Sequence, residues 1–167
     1  MRLRVLVISL CVIFGLLVQA TFLSEMNLFG IGVLPDLVLI VAVSYGLLKG
    51  PWYGAVIGVL AGLAADLFAG GVLGPGALAK MATGFTAGLL EKVIFKDNLL
   101  VPVLSLFLGT WINEGIFLMV ASAFGWHFGP LLDLLLRILA IAACNALLAP
   151  LLYRYFYRLE KRLAAAV

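Results

Sequence analysis

PDLVLIVAVSYGLLKGPWYGAVIGVLAGLAAD, residues 35–66, consists of two apolar segments joined by the short polar break KGP. Two apolar segments with a turn signal between them predict a hairpin of membrane helices. In the second segment Gly54, Gly58, Gly62 and Asp66 recur every four residues, which places them along one side of a helix. Small residues let membrane helices pack closely, and an acid there should face protein or a water-filled cavity rather than lipid.

The composition of the whole chain agrees with a membrane location. The chain has 167 residues, of which 65% are hydrophobic and 11% are charged, and its mean hydropathy is +1.23. A soluble domain is about half apolar and about a quarter charged, so a soluble chain of this length could not bury so much apolar surface. We therefore predict an all-α, polytopic membrane bundle of about six helices that forms a single transmembrane domain over residues 1–167.

The predicted spans cover residues 5–22, 35–48, 52–68, 76–93, 99–124 and 129–156. The first span also resembles a signal peptide, but it fits the first helix of a polytopic protein. Asn113-Glu114 is expected to break the fifth span. With six spans, the basic residues at span ends share one side: Arg2, Arg4, Lys49, Lys92, Lys96, Arg154, Arg158, Lys161 and Arg162. This asymmetry predicts that both termini are cytoplasmic.

A second series of small residues follows in the fourth span. Gly76, Gly84 and Gly88 share four-residue spacing with Lys80, so Lys80 should lie on the small-residue side of that helix. The candidate residues for helix packing or partner docking are Gly54, Gly58, Gly62, Gly76, Gly84 and Gly88. The spacing leaves open whether these glycines pack inside the bundle or dock a partner helix.

The polar residues inside the spans form a predicted buried polar network in the outer half of the bilayer. Its members are Asp36, Asp66, Lys80, Asn113, Glu114, Asp133 and Arg137. Asp66 and Lys80 have similar depths on neighbouring helices, which predicts an ion pair between them. Asp36 suits the capped start of the second span. Arg137 can be neutralised by Asp133 four residues earlier, by Glu114 across helices, or by both.

The role of this network is left open between three readings. It could neutralise charge within the bundle, line a polar cavity open to the outside, or form a seam that recognises another membrane helix. Catalytic, cofactor and metal sites are not expected, because the single histidine, His127, lies in an interfacial link and the carboxylates surround no evident reacting centre. Cys11 and Cys144 lie in apolar runs as small packing residues. Nothing suits nucleic acid, and the expected surroundings are membrane lipid.

The order of these motifs resembles the rod shape-determining protein MreD family. The resemblance covers nearly the whole chain and depends most on residues 35–88: PDLVLI, then GLLKGP, then the glycine series ending at Asp66, then Gly74 and the glycines of the fourth span. Lys80 and the Asn113-Glu114 pair are not features associated with that family, so the resemblance assigns them no role.

The resemblance implies a multi-pass protein of the bacterial cytoplasmic (inner) membrane that takes part in cell elongation, within the elongasome. It implies a non-catalytic scaffold or regulator that binds an MreC-like protein with one membrane helix. Through that partner it would be linked to peptidoglycan synthesis by RodA and a class B penicillin-binding protein, and to MreB. The resemblance also implies a fold like the substrate-binding subunit of energy-coupling-factor transporters. The alternative function is therefore a vitamin-type small-molecule binding subunit of such a transporter.

Overall fold

The computed structural model describes residues 10, 12–19, 34–70, 72–92 and 100–165, and these are helical apart from short connections. Helix α1 occupies residues 12–19. The remaining helices are α2 (Leu37–Lys49), α3 (Pro51–Ala69), α4 (Pro75–Leu89), α5 (Leu100–Ala123) and α6 (Leu131–Ala165), with a 3-10 turn at Leu90–Lys92 after α4. The all-helical prediction is confirmed.

Three of the helices, α3, α5 and α6, are long and apolar enough to cross a membrane, and α2 is a shorter apolar helix. These helices support a membrane protein. The N-terminal arginines, Lys96, Cys11 and the link between the first two spans lie outside the described residues. The cytoplasmic placement of the termini therefore stays a prediction.

Glycine and proline residues set the helix boundaries around the hairpin. Gly50 has a φ of 96° and ends α2, and Pro51 begins α3 at the first helical position. Gly70 caps the end of α3 with a φ of 66°, and Gly74, with a φ of 124°, precedes Pro75 at the start of α4. These positive φ values suit glycine, and a proline needs no helical N–H partner in the first turn. The connections are consequently short and hold consecutive helices side by side.

Helix α2 lies at the centre of the bundle. Its residues from Val38 to Leu48 are all buried, and it contacts α3, α4, α5 and α6. At 1.5 Å per residue this 13-residue helix is about 20 Å long, shorter than the roughly 30 Å hydrocarbon core. If Lys49 lies at one membrane surface, Asp36 at the other end of α2 lies inside the hydrocarbon region.

Two boundary predictions are wrong. Helix α5 runs through Asn113-Glu114 without interruption, because polar side chains leave the helical backbone hydrogen bonds intact. Helix α6 continues nine residues past the predicted end at Phe156, since its C-terminal turns still have packing partners. The Glu160 carboxylate pairs with the Lys49 ammonium, and the Phe156 ring contacts the Tyr45 ring with centroids 5.6 Å apart.

Candidate functional site

Helices α3 and α4 pack closely through glycine residues, and we call this the glycine contact. Its members are Gly54, Gly58 and Gly62 on α3 and Gly76, Gly84 and Gly88 on α4. A Cβ atom on Gly58 would lie 2.6 Å from the carbonyl carbon of Lys80, and one on Gly62 would lie 2.6 Å from the Cα of Ala77. Because these neighbours are backbone atoms, a side chain at either position would force the helices apart.

The structure therefore places the glycine contact inside the chain. Gly88 packs on the α2–α3 junction, where its Cβ would lie 2.6 Å from the carbonyl carbon of Gly50. Gly46 of α2 also packs against Gly84 and Gly88, and it was not among the predicted packing residues. A sequence signal for it exists, since the four-residue series extends back from Gly54 through Gly50 to Gly46. A partner helix would have to dock on other surfaces.

Asp66 binds the start of α4. Its carboxylate accepts hydrogen bonds from the backbone N–H groups of Gly74 (2.9 Å), Gly76 (3.2 Å) and Ala77 (3.3 Å). The predicted Asp66–Lys80 ion pair is wrong. The N–H groups of the first helical turn have no intrahelical acceptors and carry a partial positive charge, so they bind the carboxylate first.

We expect Asp66→Ala to lower the free energy of unfolding by about 1–3 kcal/mol, because it leaves buried N–H groups at the start of α4 without an acceptor. Asp66→Asn should lose less, because the amide oxygen can still accept. Thermal unfolding of the purified protein in detergent measures both changes. Equal losses for the two variants would contradict the hydrogen-bonding role.

Lys80 pairs instead with Asp36 at the start of α2. The Lys80 Nζ lies 2.7 Å from the Asp36 Oδ2, and the two side chains are only 10% and 17% exposed. The other carboxylate oxygen of Asp36 accepts the N–H of Leu39 at 2.9 Å, so Asp36 also caps α2 as predicted. The Asp36 side chain thus links α2 to α4 and also caps the N-terminal end of α2.

Asn145 of α6 also binds Asp36 at the start of α2. Its Oδ1 accepts the backbone N–H of Asp36 at 2.8 Å, and its Nδ2 donates to the Thr110 Oγ1 of α5 at 3.0 Å. Gln19 of α1 donates through Nε2 to the carbonyl of Pro35 at 3.1 Å. We call Gln19, Asp36, Lys80, Thr110 and Asn145 the Asp36 cluster. It connects helices α1, α2, α4, α5 and α6.

Three members of the Asp36 cluster, Gln19, Thr110 and Asn145, were missed as site residues. They are neutral, and neutral polar residues in apolar spans are less conspicuous than charges. The available signal is that such side chains commonly hydrogen-bond across membrane helices. Their partners could not be read from the sequence, because the bonds join residues 16 to 109 positions apart.

Asn113 and Glu114 lie beside the Asp36 cluster on α5. The Asn113 Nδ2 donates to the Glu114 Oε1 at 3.1 Å. Asn113 is 2% exposed, and within the described residues its Oδ1 has no hydrogen-bond partner. Glu114 is half-buried, and the positive charges of Lys80 and Arg137 both act favourably on it. Asp36 repels Glu114, so the carboxylates of α2 and α5 share the positive charge of Lys80 on α4.

Asp133 and Arg137 do not belong to a buried network, which corrects the prediction for these two residues. Both side chains are exposed on the surface of α6. The other helices cover little of α6 near its N-terminal end, and Leu131 and Leu132 are exposed there as well. Arg137 still interacts electrostatically with Glu114, one of the two partners expected for it.

Taken together, the arrangement links helices through bonds between its own members. Within the part of the chain that the structure describes, no group of three or more His, Cys, Asp or Glu side chains is placed to hold a metal ion. The polar atoms of the Asp36 cluster are directed at each other and at helix ends, which is the geometry of an interhelical tie.

Comparison with known proteins gives one match. A family model described as rod shape-determining protein MreD matches residues 1–162 of the chain. No match is found among curated proteins or among solved structures.

Proposed function

We propose, since this chain belongs to the MreD family of rod shape-determining proteins, that it is a non-catalytic scaffold and regulator of cell elongation in the bacterial cytoplasmic membrane. In this proposal it binds a single-span MreC-like protein. Through that partner it is linked to peptidoglycan synthesis by RodA and a class B penicillin-binding protein, and to MreB.

The observation that carries the proposal is the family match over residues 1–162, nearly the full length of the chain. The structure adds physical support. The glycine contact and the Asp36 cluster hold the helices together through the chain's own residues, while apolar side chains such as Val56, Leu60 and Leu108 point outward. A bundle of this kind can bind a membrane partner through its outward faces.

The first test is a pull-down of the tagged full-length protein from its native membrane in a mild detergent. Mass spectrometry should identify both the proteins and the small molecules that remain bound. We expect a partner with one membrane helix and an extracytoplasmic domain in near-stoichiometric amount, together with cell-wall synthases. An unrelated polytopic protein with the same tag serves as the control.

The contrary results of this pull-down are specific. Recovery of ATPase-driven membrane subunits with a tightly held metabolite would favour the vitamin-type transporter subunit and contradict the scaffold. Recovery of neither set of proteins above the control would also contradict the scaffold. Depletion in the native host provides a second readout, because loss of an elongation scaffold should make rod-shaped cells wider and rounder.

A further inference from the structure

An apolar groove lies between α1, α2 and α6. Its volume is about 520 Å³, within the range of small-molecule sites. Leu37, Val41 and Phe156 form its floor, since they are buried or half-buried. Gly15 also lies in the floor, and its missing side chain adds depth. The walls are exposed apolar side chains, among them Leu10 shortly before α1, Phe14 of α1, and Leu151 and Tyr155 of α6.

A row of arginines continues one wall of this groove. Arg158 and Arg162 follow Tyr155 by three and seven residues, so they lie on the same side of α6, one and two turns farther along. Both are exposed, and within the described residues neither forms an ion pair or a side-chain hydrogen bond. Glu160 does not neutralise the row, because it is buried on the other side of α6 and pairs with Lys49.

We propose that this groove and the adjoining arginines form a binding site for one anionic phospholipid. An acyl chain lies in the groove between α1 and α6, and the phosphate headgroup contacts Arg158 and Arg162. The exposed Tyr155 stands between the two parts, where a tyrosine at a membrane interface is expected. The site is independent of the partner proposed above.

Charge and position favour a lipid over a protein helix. The groove lies along α6, a helix long and apolar enough to cross a membrane, and its charged end coincides with the end of α6 that is predicted to be cytoplasmic. Basic pockets between membrane helices on that side bind anionic headgroups. A phospholipid supplies an apolar chain and a negative charge in one molecule, at the spacing that Leu151, Tyr155 and Arg158 present along α6.

The headgroup part is tested by binding of phosphatidylglycerol and phosphatidylcholine of equal chain length to the full-length protein, measured by native mass spectrometry. We expect phosphatidylglycerol to bind more tightly. Arg158→Gln/Arg162→Gln should weaken it by about 25-fold, at about fivefold per arginine. The matched control compares single variants: Arg158→Gln, expected to lose about fivefold, is set against Arg137→Gln, which removes the same charge from an exposed position about six turns earlier on α6. Arg137→Gln should lose less than about threefold.

The acyl-chain part is tested with a glycine pair. Gly15→Leu should fill the groove, because the nearest atom to its added Cβ is the Leu37 Cβ at 3.7 Å and the rest of the side chain extends into the open space. Gly115→Leu is the control, since its added Cβ would have no atom within 4 Å apart from the local backbone of α5. We expect Gly15→Leu to lower the affinity for both lipids and Gly115→Leu to leave it unchanged. Both variants should elute from size-exclusion chromatography and melt like the parent protein, which checks that they are folded.

Three results would overturn the site. Equal losses for Arg158→Gln and Arg137→Gln would show a diffuse attraction to anionic lipid instead of a bound headgroup. Unchanged lipid binding by Gly15→Leu would show that the acyl chain does not lie in the groove. If Gly15→Leu released a protein partner from the pull-down and retained its lipid, the groove would belong to a partner helix.

Discussion

Lys80→Met alone should lower the free energy of unfolding by about 3–5 kcal/mol, because it leaves the Asp36 carboxylate buried without its counter-ion. Asp36→Asn alone should also be destabilising, since Lys80 then keeps its charge in the bundle. An asparagine still caps a helix, so the loss reports the ion pair more than the cap of α2. Reversible unfolding in mixed detergent micelles measures each variant.

The double variant Asp36→Asn/Lys80→Met should recover most of this loss, because it removes both charges together. The control is Asp66→Asn/Lys80→Met, which alters the pair that the sequence suggested. Asp66 binds the start of α4 instead, so this second pair of substitutions should be close to additive. Additive losses for Asp36 and Lys80, or strong coupling between Asp66 and Lys80, would contradict the observed pairing.

Gly58→Ala should destabilise the protein by about 1–3 kcal/mol, and Gly58→Leu by more, because the added carbon meets the backbone of Lys80 and Met81. The neighbouring atoms cannot rotate away, so α3 and α4 must separate along their length. Such a separation would also displace Lys80 from Asp36. Melting temperature in detergent and cysteine cross-linking between α3 and α4 measure the two effects.

Gly115→Ala is the matched control, since Gly115 lies in α5 with no atom near its added Cβ apart from the local backbone of that helix. The same chemical change should therefore have little effect or slightly stabilise α5, because alanine favours a helix more than glycine does. If Gly58→Ala melted like Gly115→Ala, the close approach of α3 and α4 would be wrong. In cells, loss of rod shape with Gly58→Leu and not with Gly115→Leu would connect this packing to the proposed function.

Helix positions and helix sides followed from the sequence. Apolar runs, with glycine and proline between them, located α2, α3 and α4 to within a few residues of their observed ends. The four-residue spacing of Gly54, Gly58 and Gly62 identified one side of α3, and the structure places that side against α4. These features depend on the helical period and on local backbone preferences, which a single sequence displays directly.

The ends of α6 and the course of α5 were harder to read. The sixth span was predicted to end at Phe156, yet the helix continues to Ala165. Its extension depends on contacts with Lys49 and Tyr45 of α2, more than a hundred residues earlier. Such contacts have no local signal.

The sequence by itself determined that the chain is a helical membrane bundle, which of its segments are helices, and which family it belongs to. Only the tertiary structure decided the partners of the polar residues: Lys80 with Asp36 instead of Asp66, Asn145 with the start of α2, and Asp133 and Arg137 on the surface. The helical period fixes the side on which a residue lies but not the neighbour that this side meets. Where several acids lie at similar depth, the three-dimensional packing and the free N–H groups of a helix start select the partner of each charge.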